Sequence, residues 1–229
     1  MLTINNICKK YKNEKGVFNI SFDIEKPMVT AVIGPNGSGK STLFNIIAGL
    51  IKADCGEISF NSKLIREFEP DIISFMPENS WLIPNFTVRQ MIMYFCIMKA
   101  NISDTGYIDK LVKILGVEKF QYQKISSLSQ GMVQKVSIVC TLIGNPQIMI
   151  FDEPLNYLDI ESVISFKKIL EFYAKEGTFI LISSHILDFL DKIVQKTVFL
   201  KDGKIVKVSD LSSSDTLEEE YKSIFLGRN

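Results

Sequence analysis

An α/β fold is what this sequence predicts: a mostly parallel sheet, an N-terminal antiparallel β subdomain and an inserted α-helical subdomain. Three observations carry the prediction. Residues 28–33, 148–151 and 178–183 are apolar without alternation, the pattern of strands buried on both faces. In residues 18–24 the apolar side chains fall on alternate positions, as in a half-buried strand. From residue 87 to about 116 the period changes, with Val88, Met91, Ile92, Phe95 and Cys96, then Ile108, Leu111, Val112 and Leu115, recurring at helical steps.

The first of the buried runs leads into Gly34-Pro35-Asn36-Gly37-Ser38-Gly39-Lys40-Ser41, which fills the spacing G-x-x-x-x-G-K-[ST] and continues into a helix from Thr42. Strand, glycine-rich turn and helix is the setting of a phosphate-binding loop, so the core is expected to be that of a P-loop nucleoside triphosphatase. Gly34, Gly37 and Gly39 are expected to take positive φ and turn successive N–H groups inward at the positive end of the helix. Lys40 is expected to reach the β- and γ-phosphates of a nucleoside triphosphate, and the Ser41 hydroxyl to serve a Mg²⁺ ion.

In chain order, residues 2–8 and 18–24 read as an antiparallel pair. Tyr11, between them, is either a cover over the core or a platform for a flat ligand. Ala53-Asp54-Cys55-Gly56 reads as a turn, followed by short strands over 57–61 and 72–76, the second leading into Pro77-Glu78. Trp81, Leu82, Phe86 and the methionine-rich helical face after them are core or a docking surface. The turn Ser126-Ser127-Leu128-Ser129-Gln130-Gly131-Met132 caps the next helix and is a second anion site or simply a cap.

The buried run at 148–151 ends in Asp152-Glu153, two carboxylates that a buried strand tolerates only at its end. Alternation on a strand sends them to opposite sides, with Asp152 placed for Mg²⁺ and Glu153 for an attacking water. A helix over 160–174 and a strand over 178–183 then deliver Ser184-His185, and His185 is the sole histidine of the chain. The Asp202-Gly203 hairpin and a short helix from about Thr216 close the sequence.

Composition narrows the class. Of 229 residues 46% are hydrophobic, enough for one substantial core. Lys+Arg and Asp+Glu both number 26, and that balance argues against a general nucleic-acid or anionic-membrane binder. Cys8, Cys55, Cys96 and Cys140 lie in apolar stretches without a C-x-x-C pair and are expected to be buried thiols. With no signal-like segment and no membrane-length apolar run, a cytoplasmic chain is expected, at the inner face of the membrane only through a partner.

Taken together and in order, these stretches resemble the ATP-binding cassette of ABC transporters over essentially the whole chain. Gly34 to Thr42 look like Walker A, Leu128-Ser129-Gln130-Gly131-Met132 like the signature, and residues 148–153 like Walker B. Leu158-Asp159 is similar to the loop that follows Walker B, His185 to the switch histidine, and Tyr11 to the aromatic that stacks on adenine. The resemblance implies one domain over 1–229, with a helical part at about 87–145 inserted in an ATP-binding core of 1–86 and 146–229. It implies a dimer of cassettes in which the signature of one copy, Ser129, Gln130 and Gly131, faces the ATP held by the other, with Ser129 and Gly131 at the γ-phosphate. It also implies Glu153 as catalytic carboxylate with His185 and Lys40 beside the phosphate, Ser41, Asp152 and Glu78 around Mg²⁺, and an integral membrane transporter subunit docking near the helices. Nucleic acid is not an expected partner. Glu78 and the Gly-Met ending of the signature resemble ABC-2 exporters, whereas Leu155 and Tyr157 replace smaller residues where cassettes meet. A soluble non-transport switch and a weakly hydrolysing half of a heterodimer are the alternative readings.

Overall fold

The computed structural model describes residues 1–12, 15–99, 105–210 and 216–227. In chain order these form β1 (Leu2–Lys10), β2 (Gly16–Ile24), β3 (Val29–Ile33), α1 (Lys40–Ile47), β4 (Cys55–Phe60), β5 (Lys63–Ile65), β6 (Ile73–Met76), α2 (Val88–Met98) and α3 (Thr105–Ile114). Then come α4 (Gln130–Leu142), β7 (Ile148–Asp152), α5 (Ile160–Lys175), β8 (Phe179–Ser183), α6 (Leu187–Leu190), β9 (Lys196–Lys201), β10 (Lys204–Asp210) and α7 (Leu217–Tyr221).

Two sheets result. An antiparallel sheet has the order β2-β1-β4-β5, and a six-stranded sheet has the order β10-β9-β3-β8-β7-β6. In the second, β9, β3, β8, β7 and β6 are parallel and only β10, reached through the Asp202-Gly203 hairpin, runs antiparallel. Every residue of β3, β7 and β8 is buried, as continuous apolar runs require.

Alternation along those strands divides the interior into two cores. Val32, Ile148, Ile150, Leu181, Val198 and Leu200 face the antiparallel sheet and α1, meeting Leu2, Ile4, Ile20, Leu43 and Phe44. Ala31, Ile33, Met149, Phe151, Ile180, Ile182 and Phe199 face the other way, meeting side chains of α2, α4 and α5 such as Met91, Val136, Phe166 and Leu170. The sheet is thereby clamped from both sides and its carboxyl ends are fixed relative to one another.

Helix starts follow local chemistry. Thr87 closes a capping box with Gln90 before α2, Ser129 caps α4 by accepting from Met132 N–H, and Asp159 caps α5 by accepting from Ser162 N–H.

Several expectations need correction. β4 begins at Cys55, inside the stretch read as a turn, and β5 follows it after Asn61 and Ser62, both at positive φ. Of the four cysteines only Cys140 is buried; Cys55 is exposed, and Cys8 and Cys96 are intermediate. The methionine-rich face is split, since Met91 is buried whereas Met93, Ile97 and Met98 are exposed. Leu155 packs in the core rather than lying at an outer surface; Tyr157 is exposed.

Candidate active site

β3, β6, β7 and β8 all end at one edge of the sheet, and the loops leaving them carry the chemistry, as in other open α/β sheets. A cleft of about 400 Å³ at that edge is lined by Tyr11, Asn36, Gly37, Gly39, Lys40, Ser41, Thr42, Glu78, Asp152, Glu153 and His185, with Lys15 and Gly16. Eleven of those positions are ones the sequence singled out.

The loop after β3 is braced from below. Gly37 and Gly39 take positive φ, at 79° and 107°, but Gly34 does not. Gly34 is needed for another reason: a Cβ there would stand 2.2 Å from the Leu200 carbonyl oxygen. Pro35 and Ser38 are not among the cleft residues; their backbones close the loop, Ser38 N–H donating to the Pro35 carbonyl at 3.1 Å. Gly203 N–H donates to the Ser38 carbonyl at 2.9 Å, so the β9–β10 hairpin supports the loop. Lys40 is buried and its Nζ donates to the Gly34 carbonyl at 2.8 Å. Burial lowers its pKa, while Glu153, Asp152 and Glu78 act in the opposite direction.

The acidic pair is not separated in the way strand alternation predicts. β7 stops at Asp152, and Glu153 turns at φ 51°, so both carboxylates line the same cleft. Ser183 ties them together: its hydroxyl donates to Asp152 Oδ1 at 2.6 Å and accepts Glu153 N–H at 2.9 Å. Gln134 Nε2, on α4, donates to the carbonyls of Glu153 at 3.2 Å and Pro154 at 2.9 Å. Glu153 is 5% exposed, and this burial pushes its pKa up to about 7. His185 Nε2 lies 3.1 Å from Glu153 Oε1, and the imidazole, held low first by burial and then by Lys40, favours its neutral form. A buried carboxyl with its pKa lifted toward neutrality, 3.1 Å from an imidazole, is suited to proton transfer.

Ser183 and Gln134 were not singled out by the sequence. Their partners lie 30 and 19 residues away, and no local pattern announces such contacts. Ser183→Ala should leave Glu153 N–H and Asp152 Oδ1 without this partner and lower stability by about 1–3 kcal/mol. A denaturant midpoint equal to the parent's would show the bridge to be dispensable.

Ser129, Gln130 and Gly131 are not among the cleft residues. They start α4, with Ser129 exposed as its cap and Gly131 pressed against the loop after β7, where a Cβ would meet the Tyr157 carbonyl oxygen at 2.6 Å. Asp159, in that loop, pairs with Lys135 at 2.6 Å, which holds its carboxyl down to about 2. Tyr11 is 38% exposed and belongs to neither core, so it edges the cleft rather than covering the interior.

Sheet, loop and acidic strand end define a P-loop ATPase. The family model described as ABC transporter matches residues 17–156, and the chain belongs to that family as an ATP-binding subunit. It is 31% identical over 226 residues to the Streptococcus pyogenes lantibiotic transport ATP-binding protein SrtF, covering 99% of this chain and 98% of that one. The Methanocaldococcus jannaschii ABC transporter ATP-binding protein MJ1023 is 30% identical, over 92% of this chain and 79% of its own length. Among solved structures, the dimeric post-hydrolysis state of the cassette MJ0796 bound to ADP and Pi superposes with a TM-score of 0.81. Its identity is 25%, covering 93% of this chain and 100% of that one.

Proposed function

We propose that this chain is the ATP-hydrolysing subunit of an ABC exporter, working at the inner face of the membrane as a pair of cassettes that drives a separate membrane subunit. The observation that carries the reading is the meeting of Lys40, Asp152, Glu153 and His185 around one cleft while the signature residues lie outside it. A single chain then offers two half-sites. In the pair, Ser129, Gln130 and Gly131 of one copy close over the phosphates held by residues 34–42 of the other, and the dimeric MJ0796 cassette supports that arrangement by likeness.

In this scheme the loop amides and Lys40 bind the phosphates and Tyr11 supports the base. Glu153 takes a proton from the attacking water, and His185 steadies the γ-phosphate and the carboxylate. Ser41, Asp152 and Glu78 supply hard oxygen donors suited to Mg²⁺, which neutralises phosphate charge when bound. Among the described residues no group of three or more acidic, histidine or cysteine side chains could hold a metal. The helical part at about 87–145 is the moving and docking portion, set on the core of 1–86 and 146–229. None of the described helices is long and apolar enough to cross a membrane. An apolar groove of about 540 Å³ lined by Phe75, Trp81, Tyr94, Phe95 and Met98 is the surface for the membrane subunit. Glu78 and the Gly131-Met132 ending favour the exporter type.

Two experiments test this reading. Turnover should rise with pH through about 7 as Glu153 ionises, and a flat profile from pH 5.5 to 8.5 would contradict its role as base. In fractionated source cells the chain should sediment with membranes, and Tyr94→Glu with Met98→Glu should release it with ATP binding unchanged. Equal membrane recovery for parent and variant would contradict docking at the groove.

A further inference from the structure

Cys8 in β1 and Cys55 at the start of β4 stand opposite each other in the antiparallel ladder. They are far apart in the sequence, and only the register brings them together. The ladder is irregular at this point: the register shifts between Asn5 and Cys8, and Asn6 sits at φ 53°. The Asn6 carbonyl oxygen lies 3.7 Å from each thiol sulfur, so the two sulfurs lie around the same oxygen. Gly56 permits this approach, because a Cβ there would be 2.3 Å from the Asn6 oxygen.

The Cys8 thiol beside it pushes the Cys55 pKa up. Cys8 Sγ donates to Asn19 Oδ1 at 3.1 Å and accepts Asn19 N–H at 3.4 Å, which holds one partner in place while exposed Cys55 faces solvent. Nearby, Lys9 Nζ and Lys10 N–H bind the two oxygens of Asp54 at 2.7 and 2.8 Å, clamping the end of β1 to the residue before Cys55.

We propose that Cys8 and Cys55 form a redox-responsive dithiol that closes to a cross-strand disulfide by exchange with a small disulfide such as oxidised glutathione. Opposed residues of antiparallel strands have Cα atoms about 4.5–5.5 Å apart, within the span of about 4.4–6.8 Å that a disulfide bridges. The exposed Cys55 thiol loses its proton and attacks one sulfur of glutathione disulfide, which breaks the S–S bond and expels one glutathione thiolate. Cys8, deprotonated in turn, attacks the Cys55 sulfur and expels the second. Two protein thiols are oxidised, one glutathione disulfide is reduced to two glutathiones, and the two protons pass to the leaving thiolates. The new bond staples β1 to β4 where their ladder is irregular, in the strand that leads to Tyr11.

The test is equilibration of the full chain with a glutathione buffer rich in the disulfide, acid quench, alkylation after unfolding, and peptide mass mapping. The expected result is loss of two of the four alkylatable thiols and a peptide linking Cys8 to Cys55 within one chain, unchanged in Cys96→Ser. Cys8→Ser should yield instead a glutathione adduct on Cys55. Free or separately glutathionylated Cys8 and Cys55 in the parent, or a link found only between two chains, would overturn the proposal.

Discussion

Glu153→Gln should abolish turnover while keeping ATP binding. Glutamine preserves the shape of the side chain at the end of β7 but cannot accept a proton, so the rate should fall about 10²–10⁴-fold. Binding rests on the loop at 34–42 and should change little, and ATP should then hold the variant as a dimer. Phosphate release, nucleotide binding and mass are the three readings; a variant that hydrolyses at the parent rate contradicts Glu153 as the base.

The same substitution has a pH signature in stability. Burial lifts the Glu153 pKa from about 4.5 to about 7, so the native chain binds this proton more tightly than the unfolded one. Below the lower value both states are protonated and there is no cost; above 7 the buried charge destabilises the fold. Thermal midpoints of Glu153→Gln and parent should therefore converge near pH 4 to 5, with the variant ahead at pH 8. The reverse order would contradict the desolvated state of the carboxyl.

Lys40→Ala should remove tight ATP binding. The ammonium is buried within the loop's curve and donates to the Gly34 carbonyl, in position to turn to phosphate oxygens. Charge-assisted hydrogen bonds of about 1.5–3 kcal/mol each make a loss of roughly 100-fold in affinity the expected result. Folding should survive, because the substitution also removes a desolvated cation. Unchanged ATP affinity by equilibrium titration would contradict the loop assignment.

The strands that build the site were legible because their chemistry is local. Residues 28–33, 148–151 and 178–183 show their burial as unbroken apolar runs, and the loop at 34–41 has a spacing that few other structures need. The helix cap at Ser129 likewise sits directly before a periodic segment. What stayed hidden depends on register or on single backbone torsions. β5 is three residues long at a sheet edge, too short for a period, although Asn61-Ser62 marks its turn. The positive φ of Glu153 overrides strand alternation and brings it to the cleft beside Asp152. Ser183, Gln134 and the facing of Cys8 and Cys55 arise from contacts between elements, which no window of sequence contains.

ATP hydrolysis per chain, followed as the concentration of purified chain is raised, tests the central claim most directly. If two chains complete each site, specific activity should climb steeply with concentration and level off as ATP-dependent dimers appear by mass. Constant activity per chain across the range, from a species that remains a monomer with ATP, would contradict it.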